Sequence, residues 1–243
     1  MVKRGEKMNY GTISITGKVR DKNEDNYLVL DKNELHIIAV ADGMGGHKAG
    51  DVASSTAIKI IKEYEFDSNN LVTGIRECIN IINNKIIEKS NNNSEYRGMG
   101  TTLTLGVIKD NHLLVGHIGD SRAYIYHNKS LEQVTTDHSY VADLLQKGAI
   151  TKEEAKNHPK KNLLLRALGL EEEIKLDIIE CELVTDDIVL LCSDGLTNMN
   201  TNEQIKEVLS KDLKLQEQAE LLSDKANAAG GYDNITAVLY QNN

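Results

Sequence analysis

Three separate apolar runs in this chain end the same way. Ile37 to Ala41 runs into Asp42-Gly43, His112 to Ile118 into Gly119-Asp120-Ser121, and Ile188 to Cys192 into Ser193-Asp194-Gly195. Short aliphatic runs bounded by turn residues predict buried strands. A carboxylate at the end of such a strand is expensive to desolvate unless something positive meets it. Asp233-Asn234 opens a fourth run, Ile235 to Tyr240, and Glu24-Asp25 lies beside a fifth, Tyr27 to Leu30. Any one Asp-Gly or Asp-Asn is an ordinary turn dipeptide. Four Asp residues in similar contexts predict strand ends that converge.

The remaining pattern says how those strands are covered. Gly11 to Thr16 alternates and predicts a strand. Val52, Thr56 and Ile60, with Ala53, Ala57, Ile61 and Tyr64, recur at helical spacing, as do Leu71, Ile75, Ile79, Ile82 and Ile86. Short strands with polar turns follow from Leu103 to Thr135, an antiparallel meander. From Asp137 to Gly169 the chain turns polar. Val141, Leu144 and Leu145 predict a short helix, and Thr151-Lys-Glu-Glu154 opens another with a capping box. Ile174, Leu176 and Ile178 alternate and predict a strand. Thr201-Asn-Glu-Gln204 opens a further helix, and Leu215 to Ala228 forms the last, closed by Gly230-Gly231. Helices in pairs, not alternating with strands, argue against a doubly wound parallel sheet. The expected fold class is α+β, two antiparallel β-sheets flanked by helix pairs.

Of 243 residues, 40% are hydrophobic, enough for one sizeable core, and a single Pro leaves no linker. Residues 1–243 are expected to form a single domain, with 139–168 as a flap. Phe66 stands alone and Trp is absent, so the core must be aliphatic. The net charge of -9 argues against a nucleic-acid surface and suits a carboxylate site that holds cations. Cys78, Cys181 and Cys192 are an odd count with no metal-knuckle spacing. The basic, polar Met1 to Tyr10 is no signal peptide, and no apolar run approaches the roughly 18 residues of a membrane span. The expectation is a cytoplasmic protein, a monomer without membrane or nucleic-acid partners.

Converging carboxylates suit hard divalent cations such as Mg²⁺ or Mn²⁺, which take oxygen ligands and keep several waters. Two such ions can share a carboxylate and a bridging water. Arg20, four residues before Glu24, has the planar fork that grips phosphate. His47, five residues after Asp42, is the best candidate for a general acid. The glycines at 43, 45 and 46 do not make a nucleotide loop. The dinucleotide fingerprint needs Gly where Lys48 stands, and a P-loop needs Ser or Thr after Gly-Lys.

Seven segments together resemble the PPM family, the type 2C metal-dependent serine/threonine protein phosphatases, in its bacterial form. They are Arg20-Asp-Lys-Asn-Glu-Asp25, Val40-Ala-Asp-Gly-Met-Gly-Gly-His47, Gly100-Thr-Thr102, Gly119-Asp-Ser-Arg122, Asp137-His-Ser139, Cys192-Ser-Asp-Gly-Leu196 and Asp233-Asn-Ile-Thr236, in family order. The resemblance implies a four-layer αββα sandwich with two Mn²⁺ or Mg²⁺ ions at one end. It implies that Asp42 bridges the ions and the Gly43 carbonyl binds one of them. Asp194 and Asp233 would bind the second, and Glu24 and Asp25 would act through metal-bound water. Asp120 and Asp194 are associated with a third, weaker ion, and Arg20 would hold the substrate phosphate. A metal-bridging hydroxide would attack phosphorus directly, with no phosphoenzyme. Eukaryotic members commonly carry their proposed acid where Met44 stands, so here that part falls to His47. The expected substrates are phosphorylated proteins, with a Ser/Thr kinase and its targets as partners.

Two other readings use the same residues. A catalytically dead binding module of this fold predicts missing ligands, and all are present. A two-metal nuclease predicts a basic groove, which the charge opposes.

Overall fold

The computed structural model describes residues 9–45 and 49–243. In chain order the elements are β1 (Tyr10–Ile15), β2 (Asp25–Lys32), β3 (Leu35–Met44), α1 (Ala49–Glu63), α2 (Leu71–Asn92), β4 (Gly100–Thr101), β5 (Leu103–Lys109), β6 (His112–Ile118), β7 (Arg122–His127), β8 (Ser130–Gln133), α3 (Tyr140–Gln146), α4 (Lys152–Lys156), β9 (Asp177–Glu182), β10 (Ile188–Cys192), α5 (Asp194–Thr197), α6 (Asn202–Leu209), α7 (Leu215–Ala228) and β11 (Ile235–Gln241).

Side chains alternate across a strand, and here both alternate sets are buried. In β3, Ile37, Ala39 and Ala41 pack with Ala53, Ala57 and Ile61 of α1 and Ile75, Ile79 and Ile82 of α2. Ile38 and Val40 point the other way, into a layer shared with Val189 and Leu191 of β10 and Val238 of β11. The opposite face of those two strands, Ile188, Leu190, Ile235, Ala237 and Leu239, meets Ile205 and Val208 of α6 and Leu215, Ala219 and Leu222 of α7. Strands buried on both faces need continuous aliphatic runs. Each Val, Leu or Ile so buried stabilises the fold by roughly 1.5–3 kcal/mol. The result is the expected αββα sandwich. One sheet runs β1-β11-β10-β7-β8; the other runs β2-β3-β5-β6-β9, with β4 paired to β3. All these pairings are antiparallel. Capping boxes at Thr151 and Thr201 start α4 and α6 as the sequence predicts.

The strand expected over Ile174, Leu176 and Ile178 begins only at Asp177. Side-chain bonds replace the ladder upstream. The Asn83 amide of α2 donates to the Glu171 carbonyl at 2.8 Å and accepts from the Gly169 backbone N–H at 2.7 Å. Ile174 and Leu176 therefore pack against the α1–α2 core without joining the sheet. The polar stretch between β8 and β9 carries α3 and α4. It is pinned at its base by bridges between Thr101 and Leu168 and between Ser139 and Leu164. Among the described residues, no helix is long and apolar enough to cross a membrane.

Candidate metal centre

Antiparallel pairing sets Asp25 directly opposite Asp42, at the ends of β2 and β3. β10 ends at Cys192, so Ser193 and Asp194 emerge at the same end of the sandwich. The Ser193 hydroxyl donates to Asp25 Oδ2 at 2.7 Å and accepts the Thr236 N–H at 3.0 Å. One hydroxyl thus ties β2, β10 and β11 together. Among the described residues, the other oxygen, Asp25 Oδ1, is buried without a hydrogen-bond partner.

The carboxylates repel one another. Burial first, then Asp25, Asp194, Asp120 and Asp233, pushes Asp42 well above the ordinary carboxylate range. Burial raises Asp25 to about 7, against hydrogen bonds from Ser193 and Thr236 and with Asp194 and Asp233 adding to it. Asp120 rises to about 8 through burial, then Asp194 and Asp137. Asp194 rises to about 6 through burial and Asp233, opposed by hydrogen bonds to Asp42 and Asn198. Glu24 is raised by burial, with Arg20 opposing. Among the described residues, no group of three or more His, Cys, Asp and Glu side chains is preformed around one ion position. The carboxylates are neighbours that a cation would draw in. An unpartnered buried oxygen and mutually raised carboxylates fit a divalent metal, which supplies the missing positive charge.

Gly43 is held where no other residue fits. A Cβ there would lie 2.2 Å from the Gly50 carbonyl and 2.6 Å from that of Glu24. The start of α1 can therefore sit against the end of β3, with the Glu24 carboxyl carbon only 2.9 Å from where a Cβ on Gly50 would stand. Arg20 donates from Nη2 to Asp233 Oδ2 at 2.8 Å, and its side chain is 52% exposed. Its guanidinium sits beside the cluster with room to turn toward a ligand.

Of the site residues expected from sequence, Arg20, Glu24, Asp25, Asp42, Gly43, Asp120, Asp194 and Asp233 gather at this end. His47 lies outside the described residues. The Arg122 guanidinium grips Asp137 through Nε at 2.9 Å and Nη2 at 2.7 Å, so these two motifs brace each other. His138 Nδ1 accepts the Gly119 N–H at 3.1 Å, one residue before Asp120. Burial pushes the Cys78 and Cys192 thiols up to about 12, so neither is a thiolate nucleophile.

One organising residue stands in the Asp233-Asn-Ile-Thr236 segment, but the sequence does not say what it holds. The Asn234 side chain donates to the Thr16 carbonyl at 3.0 Å and the Lys22 carbonyl at 2.7 Å, and accepts the Glu24 N–H at 2.8 Å. It staples both ends of the segment that carries Arg20. Asn234→Ala leaves three backbone groups unpartnered and is expected to cost about 1–3 kcal/mol in urea denaturation. It should also raise KM by loosening Arg20; an unchanged denaturation midpoint and KM would refute the staple.

The protein phosphatase 2C family model matches residues 18–238. The serine/threonine phosphatase stp of Listeria welshimeri is 41% identical over 234 residues, covering 93% of this chain and 93% of that protein. The crystal structure of the Mycobacterium tuberculosis serine/threonine phosphatase PstP/Ppp superposes with a TM-score of 0.89 at 36% identity, covering 96% of this chain and 97% of that one. A structure of the PstP catalytic domain in complex with two manganese ions gives 0.87 at 34% identity, covering 96% of each chain. With its sandwich, its acidic strand ends and a match that runs through nearly all of both, this chain belongs to the protein phosphatase 2C family.

Proposed function

We propose that this chain hydrolyses phosphoserine and phosphothreonine in proteins directly, with Asp42, Gly43, Asp194 and Asp233 holding two divalent ions and Asp120 helping to hold a third. The observation that carries this is the set of carboxylates raised by burial and by one another around a buried oxygen of Asp25 that has no partner among the described residues. Ions bound there supply charge to offset the phosphoryl oxygens and acidify coordinated water.

The chain's own residues do the rest. Asp25, fixed by Ser193, and Glu24, fixed by Asn234 and the start of α1, are placed to accept protons from water entering the site. Arg20 trades its bond to Asp233 for the substrate phosphate, which it grips as a fork. Its charge is assured, because Asp233 holds its pKa above the ordinary arginine value. His47 is assigned as proton donor to the departing Ser or Thr oxygen on sequence alone. The chain acts as one catalytic domain, with 139–168 as its flap, and as a monomer. The three free cysteines suit a reducing cytoplasm, and the natural role is to oppose a Ser/Thr kinase.

A phosphothreonine peptide tests the reading. Phosphate release should require Mn²⁺ or Mg²⁺, stop with EDTA, and leave no labelled phosphoenzyme on acid quench. Release that survives EDTA, or a trapped phosphoenzyme, would overturn it.

A further inference from the structure

Among the described residues, Tyr232 and Val19 are the two most exposed large hydrophobic side chains, at 61% and 59%. They are distant in sequence, yet each precedes one half of the ion pair at the centre. Val19 comes before Arg20, and Tyr232 before Asp233. The two segments run side by side. The Lys18 N–H donates to the Gly231 carbonyl at 2.8 Å, and Asn234 bonds the Thr16 and Lys22 carbonyls on either side of Val19.

Their closeness depends on two glycines in the left-handed region. Gly17 has φ +78°, and a Cβ on it would stand 2.2 Å from the Asp233 carbonyl oxygen. Gly231 has φ +56°, and a Cβ there would stand 3.1 Å from the Lys18 nitrogen. The Tyr232 ring lies over Gly230, where a Cβ would come within 2.5 Å of it. The backbone is thus shaped to hold two apolar groups in water next to a strongly acidic centre. Neither belongs to the three hydrophobic clusters of the core.

We propose that Val19 and Tyr232 read an apolar side chain within about two residues of the phosphorylated Ser or Thr. This rests on the phosphatase reading above, which puts the phosphate on Arg20. Neighbouring Cα atoms are about 3.8 Å apart, and an extended peptide advances about 3.3 Å per residue. A side chain one or two positions from the phosphoresidue therefore reaches the residues next to Arg20 and Asp233. The occupant is apolar, because an apolar side chain loses water against Val19 and the Tyr232 ring, whereas Gly or Glu gains nothing there.

Phosphothreonine peptides that differ only by Leu, Gly or Glu at one of the two positions on either side test this, with Mn²⁺ present. At one of these positions Leu should raise kcat/KM roughly tenfold over Gly, the scale of a small apolar contact. The gain should fall mainly on KM, because the contact is the same before and during reaction. Val19→Ser with Tyr232→Ala should remove most of the preference, whereas Tyr232→Leu, which stays apolar, should keep it. Equal turnover of Leu, Gly and Glu peptides by the unaltered protein overturns the proposal, however the variants fold. So does a preference that survives the double variant. Failure to hydrolyse any peptide or p-nitrophenyl phosphate, which has no flanking residue, would instead sink the phosphatase reading.

Discussion

Asp42→Asn is expected to cut Mn²⁺-dependent turnover by about three orders of magnitude or more and, in chelator, to raise the melting temperature. The first effect follows from losing the carboxylate that sits between Asp25, Asp194 and Asp120 and is the proposed bridge between ions. The second follows from the same position. Asp42 is raised first by burial and then by four neighbouring carboxylates, so in the metal-free protein its charge is a source of strain. Asn has nearly the same shape and no charge. The backbone bonds at this residue persist: its N–H donates to Thr102 Oγ1 at 3.0 Å, and its carbonyl accepts the Thr102 N–H and the Thr101 hydroxyl, both at 2.9 Å. Each kcal/mol of repulsion removed is worth about 2–4 °C in a chain of this length. Turnover within tenfold of the parent refutes the role of Asp42. A lower metal-free melting temperature refutes the account of repulsion. Both measurements are needed, because a variant that merely unfolds also loses activity.

The carboxylates were legible because they interrupt apolar runs. Asp42, Asp120 and Asp194 each end a strand whose residues have no other reason to meet a charge. The helix pairs were legible too, since 3.6-residue periodicity over Val52 to Tyr64 and Leu71 to Ile86 has one physical reading. The bonds of Asn234 and Ser193 were not, although both stand in segments that carry the resemblance, because a small polar residue beside a strand looks the same whether it faces water or buried polar groups. Their partners, Thr16, Lys22, Glu24 and Asp25, lie some 170 to 220 residues away in sequence. The misplaced strand at Ile174 has a similar cause. Alternation marks which residues face a core, but the Asn83 amide decides whether the backbone joins a ladder. His47 was proposed from its distance to Asp42, and only chemistry can test it.

Metal-free protein is expected to lose stability as pH rises from about 6.5 to 8.5, and Mn²⁺ is expected to reverse that trend. Asp25, at about 7, and Asp120, at about 8, have folded values far above the ordinary 3.8, and Asp42 is raised as well. A carboxyl raised by folding holds its proton more tightly in the native state. Its contribution to stability is therefore whole below the unfolded value and is lost as pH climbs through the folded one. Two buried histidines act in the opposite direction, but lower down. Burial depresses His117 to about 4 and lowers His138, so their contribution is present above 6.5 and lost as pH falls below it. Above 6.5 the carboxyls stand alone among the described groups shifted into this range. A net difference of one proton is worth about 1.4 kcal/mol per pH unit, or about 3–5 °C. Divalent ions bind the deprotonated carboxylates, so the rise in melting temperature on adding Mn²⁺ should be larger at pH 8 than at pH 6.5. Scanning calorimetry at both pH values, with EDTA and with Mn²⁺, reads all four cases. A metal-induced shift independent of pH would mean that the raised carboxylates are not where the ions bind. A metal-free melting temperature that climbs toward pH 8 would mean that burial and their neighbours do not hold them near protonation at all.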